Sequence, residues 1–288
     1  MARRCVKLVM TLLVRDEADI IAENISFHLA QGVDHIIATD NLSEDATTGI
    51  LRDFERSGVL HYIRQTEDDY AQHRWVTHMA RLAHSSYGAD WVINNDADEF
   101  WYPENGDLKK VLAAVPAGCD ALTARRVNFA PRAMPPEAGF ADVMVWRDCE
   151  SRNALGQKLP DKVCHRAFGD VVVGPGNHAV MRAGRVVVPH PAPIMILHFP
   201  MRSYRQFANK ISKGGAALER NRELGPAIVA TWRHLYQVYR DGGLPAYWQQ
   251  CLLTDAMLEE RVRDGSLVRD DRLARFFANR KVGAGEAC

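Results

Sequence analysis

Four apolar runs in the first hundred residues, each followed by a polar turn and a stretch of helical periodicity, leave few folds open to this chain. Val6–Val14 is nearly continuous in branched residues, as a strand covered on both faces of a parallel sheet must be. Ile20, Ile21, Ile25, Phe27, His28 and Leu29 follow at roughly helical spacing, and Gly32 stops that helix before a second strand, Val33–Thr39. A helix over Thr47–Ser57, a strand over Val59–Arg64, a helix over Gln72–Tyr87 closed by Gly88 and a strand over Trp91–Asn94 repeat the unit. Such alternation predicts an α/β fold with right-handed crossovers and a mostly parallel sheet carrying helices on both faces.

The fourth strand runs straight into Asn95-Asp96-Ala97-Asp98-Glu99, followed by Phe100-Trp101. Aspartates one residue apart at the end of a buried strand repel each other and resist burial unless a cation neutralises them, so the spacing points to a divalent metal. Oxygen ligands favour Mg2+ or Mn2+ over zinc. The plain alternative is a strand end opening into a solvated acidic turn.

Composition narrows the function classes. Thirty-six basic residues balance thirty-six acidic ones, so no global field draws in nucleic acid, and any phosphate binding must be local. Six scattered cysteines without a C-x-x-C pair fit reduced thiols in the cytoplasm and no zinc cluster. The N-terminal apolar run contains Lys7 and lacks a cleavage site, and no window is long enough to span a bilayer. A soluble protein is expected, with peripheral contact at the inner face of the membrane left open.

Past residue 103 the pattern changes. A helix over Asp107–Ala114 and a strand over Ala121–Asn128 precede a proline-rich loop, Ala130–Gly139. Short strands are expected at Asp142–Arg147, Asp161–Ala167, Val171–Val173, His178–Met181 and Val186–Val188, then Ile194–Phe199. From Ser203 onward helices dominate, with a hinge at Gly214-Gly215, helices at Gly225–Arg240, Leu244–Arg263 and Asp270–Asn279, and a disordered Gly/Ala tail. The expected units are 1–215, divided into 1–103 and 104–215, and a helical extension, 216–288.

Taken together, several stretches resemble the family-2-like glycosyltransferases of GT-A fold, in particular the bacterial group similar to the family-92 enzymes. The residues are Arg15-Asp16-Glu17 with Ile20-Ile21, His28 with Gly32-Val33-Asp34-His35, Asp40-Asn41 with Ser43 and Asp45, Asp96-Ala97-Asp98-Glu99-Phe100, and His198 with Arg202-Ser203, Phe207 and Lys210. The resemblance covers roughly residues 6–215. It implies a Rossmann-like nucleotide-sugar half over 1–103 and an acceptor half over 104–215.

The resemblance also implies roles. A cation on the donor diphosphate takes up charge as the nucleotide departs. Asp98 is the first choice for metal contact, Asp96 binds metal or ribose, and His198 completes the metal or diphosphate site. Thr11, Val14, Arg15 and Glu17 border the nucleotide base, and Asp40 with Asn41 meets base or ribose. For Asp40-Asn41 a simple turn pair is the competing reading. Arg202 and Lys210, at the start and second turn of one helix, are placed to reach phosphate, against the alternative of solvated surface charge; Lys162 and Arg166 form another basic pair. For the general base Glu150, Asp161, Asp170, His178 and His190 are open, with Asp161 and His178 first. Val127-Asn128-Phe129-Ala130 stands where the family has a Phe-Gly turn facing the acceptor.

The expected activity is metal-dependent transfer of a sugar from a UDP- or GDP-sugar to a hydroxyl of a glycan, lipid or other acceptor, as in polysaccharide biosynthesis. Two rivals remain. A haloacid-dehalogenase-type phosphohydrolase also carries D-x-D after a strand, but expects Thr or Val where Phe100 stands. A non-catalytic sugar-nucleotide-binding module would keep the pocket and lose turnover.

Overall fold

The computed structural model describes residues 5–135, 137–225 and 228–285. The first half holds β1 (Leu8–Val14), α1 (Ile21–Ala30), β2 (His35–Asn41), α2 (Thr47–Arg56), β3 (Leu60–Gln65), α3 (Gln72–Ser85), β4 (Trp91–Asp96), β5 (Glu99–Pro103) and α4 (Leu108–Ala113). Then come β6 (Ala121–Asn128), α5 (Phe140–Val143), β7 (Trp146–Asp148), β8 (Lys162–Arg166), β9 (Val172–Val173), β10 (Val180–Arg182), β11 (Arg185–Val186) and β12 (His190–His198). The chain ends with α6 (Tyr204–Arg220), α7 (Ala230–Arg240), α8 (Leu244–Cys251), α9 (Asp255–Arg263), β13 (Leu267–Arg269) and α10 (Arg272–Gly285).

The period-two alternation of β1 explains the layers. Leu8, Met10, Leu12 and Val14 face one way, into a core shared with Ile21 and Ile25 of α1, Leu51 of α2 and Leu112 of α4. Val9 faces the other way, with Val76, Met79 and Ala83 of α3. Helices thus cover both faces, as the sequence predicts, and the fold class is the expected α/β.

The large sheet has the order β3-β2-β1-β4-β8-β6-β12-β5. Strands β3, β2, β1 and β4 are parallel; β8 is antiparallel to both β4 and β6; β12 runs parallel to β6 and antiparallel to the edge strand β5. Only Ala97 and Asp98 separate β4 from β5. Three Cα steps from Asp96 to Glu99 reach at most about 11 Å, whereas four strand spacings in a flat sheet cover about 19 Å. The sheet therefore curls until its far edge returns to the end of β4, and the acidic turn closes the curl.

Several expectations change. Glu99–Pro103, for which the sequence suggests no strand, is a strand paired with β12. The strand expected over Asp142–Arg147 begins as helix α5, which buries Phe140 and Ala141. The single helix expected over Leu244–Arg263 breaks at residues 252–254, where Leu253 N–H donates to Pro131 O and Thr254 caps α9 by accepting from Met257 N–H. The last helix runs on to Gly285, so the tail expected to be disordered is helical that far; residues 286–288, with Cys288, lie outside the described residues, as do 226–227 of the helix expected from Gly225. Helix α10 does not hang free: Phe276 lies edge-on to Phe27, 5.0 Å between centroids, and Phe277 packs on Phe100.

The boundary expected at residue 215 falls inside α6, and Gly214-Gly215 is not a hinge. A Cβ on Gly214 would lie 2.6 Å from Cζ3 of Trp232, and one on Gly215 would collide with the ring of Tyr236. The glycines let α7 approach α6. Gly215→Ala should lower stability, because overpacking costs about 1–3 kcal/mol and outweighs the gain in helix propensity. Gly49 in α2 has nothing within 4 Å of its virtual Cβ, so Gly49→Ala should raise stability by up to about 1 kcal/mol. Urea unfolding of the two variants should move in opposite directions.

Candidate functional site

The C-terminal ends of the parallel strands are where open α/β sheets bind ligands, and here they gather the charged residues that the sequence singled out. Register accounts for the meeting. His198 at the end of β12 stands opposite Asn128 of β6 on one side and Glu99 of β5 on the other. Phe199 N–H donates to Asp98 O at 2.9 Å, so the end of β12 is stitched to the acidic turn.

Asp98 is buried and its Oδ2 receives Lys210 Nζ at 2.5 Å, with His198 Nε2 3.6 Å away. Desolvation opposes its charged form, yet Lys210, His198 and Arg202 outweigh that and hold the carboxyl well below the usual range. Burial also disfavours the Lys210 ammonium, but Asp98 and Glu17 more than compensate and raise its pKa. Asp96 faces other partners. Its Oδ2 accepts from Lys162 Nζ at 2.5 Å and its Oδ1 from Asn177 Nδ2 at 3.3 Å, while 39 % of its side chain stays exposed. Lys162 itself is fully buried and shares its ammonium with Glu99, 3.2 Å away, which also takes Arg126 at 3.0 Å.

His198 has a fixed tautomer. Its Nδ1 lies 2.7 Å from Asn128 Oδ1, whose amide nitrogen is spent on Arg152 O, so Nδ1 carries the proton and donates. Burial lowers the His198 pKa against the pull of Asp98, and Nε2 is the ring atom that faces the carboxylate.

Arg202 departs from expectation. Only 2 % exposed, it is not solvated surface charge. Its Nε and Nη2 donate to Asp19, Nη2 also to Glu17, and Nη1 to Phe199 O. With all three nitrogens engaged, the phosphate role expected of it does not suit its placement. Burial pushes Glu17 up against the pull of Arg202 and Lys210, so Glu17 belongs to this ion cluster. On the same helix Lys213 pairs with Asp16 and Glu44, and Asn209 with Asp16.

The remaining expected nucleotide residues are largely engaged within the fold. Thr11 donates to Asn94 Oδ1 at 2.9 Å inside the sheet, Val14 is buried at the end of β1, and Arg15 pairs with Asp68. Asp40 accepts from Ser43 N–H, Thr48 Oγ1 and Tyr62 OH, and Asn41 Nδ2 donates to Glu67 O, as the turn-pair reading has it. His178 donates from Nδ1 to the backbone carbonyl of exposed Asp161. Burial, then Lys162, push its pKa down to about 4. The other basic residue of the pair, Arg166, donates to Cys119 O and lies over Trp91, away from the turn.

Sequence reasoning missed Lys162 as the partner of Asp96, Asn177 beside it, Asn128 behind His198 and Asn24 beneath the turn. Among the described residues no three His, Cys, Asp or Glu side chains converge as a ready-made metal cage, and no helix is long and apolar enough to cross a membrane.

Residues 9–121, which run from the first strand through the acidic turn, match the family described as glycosyltransferase family 92. Over that stretch the glycosyltransferase resemblance is borne out. Similar solved structures include TarS of S. aureus in complex with UDP, 14% identical, covering 83% of this chain and 74% of that one with a TM-score of 0.43. Another is the mannosyltransferase PcManGT from Pyrobaculum calidifontis in complex with GDP-Man and Mn2+, 15% identical, 96% and 80% covered, TM-score 0.40. A third is glucosyl-3-phosphoglycerate synthase from Mycobacterium tuberculosis with Mn2+, UDP and glucosyl-3-phosphoglycerate, 18% identical, 42% and 44% covered, TM-score 0.29. No curated protein matches.

Removing Arg202 tests the ion cluster. Arg202→Met removes the nearer cation of buried Glu17 and should cost about 3–5 kcal/mol, measured by chemical denaturation. Arg202→Lys should recover little of it, since a point charge cannot reproduce the bidentate fork.

Proposed function

We propose that this chain transfers a sugar from a UDP- or GDP-sugar to an acceptor hydroxyl on a glycan or lipid, using a divalent cation held at Asp98 and His198. The observation that carries the reading is the facing pair, Asp98 Oδ2 and His198 Nε2, 3.6 Å apart. Two ligands bonded at about 2.1 Å and at right angles stand about 3 Å apart, so a shift of roughly half an ångström fits Mg2+ or Mn2+. Such ions take one or two protein ligands and complete their shell with phosphate oxygens and water, so a three-residue cage is not needed. Asn128 supplies the outer hydrogen bond that orients a ligating histidine. When bound, the cation would supply Lewis-acid stabilisation of charge on the leaving diphosphate.

The chain's own groups divide the remaining work. Lys210, with 28% of its side chain exposed, offers a mobile ammonium to the diphosphate and takes the phosphate role better than Arg202. Asp96, half open on the same turn, suits the ribose. His178 keeps a neutral ring near pH 7, with its proton on Nδ1 and its Nε2 lone pair available to an acceptor hydroxyl, and Asp161 orients it through its carbonyl. The phosphohydrolase alternative is disfavoured because Phe100 stands where that family expects Thr or Val.

Thermal melts and calorimetric titrations with UDP and GDP, with and without Mn2+, test the reading. One nucleotide should stabilise the wild type further when Mn2+ is added, and Asp98→Ala should remove that increment. Lys210→Met, by freeing Asp98 Oδ2, should tighten Mn2+ binding while weakening the nucleotide. Equal Mn2+ increments in wild type and Asp98→Ala would contradict the assignment.

A further inference from the structure

We infer that Asn24 is a positioning residue for the acidic turn: from the buried face of α1 it holds the Ala97 and Glu99 carbonyls that bracket Asp98 and so sets where that carboxylate points. The inference rests on the metal-dependent reading of the turn, and it concerns residues outside any ligand's reach.

Ala97 and Asp98 alone join two strands that pair with different parts of the curled sheet, so their backbone cannot draw its hydrogen bonds from a ladder. Phe199 N–H supplies one, to Asp98 O, and Asn24 supplies those on either side of it. Its Nδ2 donates to Ala97 O at 2.9 Å and to Glu99 O at 2.8 Å, the carbonyls that bracket Asp98. Its Oδ1 accepts from Asn95 Nδ2 at 3.0 Å, the side chain just before Asp96. Only this amide orientation works, because two carbonyls require donors. Both protons of the amide and its oxygen are thus committed to residues 95–99, and Asn24 has no exposed surface.

One helical turn further on, His28 extends the grip. Its Nδ1 donates to Asn24 O at 2.8 Å, which leaves Nε2 to accept from Trp101 N–H at 3.2 Å. Burial lowers the His28 pKa to about 4, so the ring stays neutral and Nε2 stays an acceptor. Residues four apart on one helix face meet the turn at its start and just beyond its end. A polar pair inside an apolar helix face is costly unless fully bonded. An apolar face would have packed equally well against the core, but would have left the Ala97 and Glu99 carbonyls without the amide that donates to them.

Positioning can be separated from stability by a neighbour. Ile25, adjacent on α1 and also fully buried, touches only the hydrophobic core, so Ile25→Ala loses stability without releasing the turn. Mn2+ affinity would be measured calorimetrically on the full chain with saturating UDP or GDP for wild type, Asn24→Ala and Ile25→Ala, together with their melting temperatures. Asn24→Ala should weaken Mn2+ about 10–100-fold, the range seen when outer hydrogen-bond partners of metal ligands are removed. Ile25→Ala should stay near the wild-type affinity despite a similar or larger fall in melting temperature. If Asn24→Ala does not fold, Asn24→Ser, which keeps one donor and cannot bridge both carbonyls, should show the same loss. Wild-type affinity in the Asn24 variants, or an equal loss in Ile25→Ala, would overturn the positioning role. A wild type that shows no Mn2+-dependent nucleotide binding would instead overturn the proposed function, and the inference with it.

Discussion

Arg202 is the hinge of the electrostatics. Glu17 and Asp19 from the turn after β1 and Asp98 from the turn after β4 concentrate negative charge where strand ends are packed against α6, and Arg202 and Lys210 answer it from that helix and its lead-in. Ion pairs taken out of water return little net stability, but losing one partner is expensive because the other stays buried and charged. The cluster therefore acts less as a source of stability than as a constraint. It fixes how α6 docks on the sheet, and with α6 it fixes the reach of Lys210 toward the acidic turn.

That docking acts on a turn already constrained by topology. The two-residue connection from β4 to β5 forces the sheet to curl, and the curl brings His198 to Asp98 although β12 and β4 are not neighbours in the strand order. Asn24 and His28 anchor the turn from beneath, Phe199 N–H from the side, and Asn128 orients the histidine. The site is thus built from strand ends and one helix face, elements stiffer than loops. Tyr70, at a left-handed φ of 56° and edge-on to Trp232, ties the loop after β3 to α7.

Much of this was legible in the sequence where burial on both faces leaves its mark. The four parallel strands, the α/β alternation, the acidic turn and the histidine at the end of β12 all follow from local pattern. What was not legible depends on distant partners. Arg202 reads as a surface cation because Asp19 and Glu17 lie 183 and 185 positions away. Gly214-Gly215 reads as a hinge because Trp232 and Tyr236, the rings that need the space, come a helix later. Glu99-Phe100-Trp101 is not legible as a strand because nothing local reveals that its partner is β12, nearly a hundred residues on. Asp40 and Asn41 read equally well as ligand contacts or turn residues, and their hydrogen bonds run within the fold.

The proposed function depends on Asp98 and His198 sharing one divalent ion. Pulsed electron paramagnetic resonance of Mn2+ bound to the full chain with UDP or GDP reads this directly, because a coordinated imidazole couples its nitrogen to the metal electrons. The account predicts a nitrogen coupling from one histidine that disappears in His198→Ala. Bound Mn2+ without that coupling, or a coupling that survives the substitution, would contradict it.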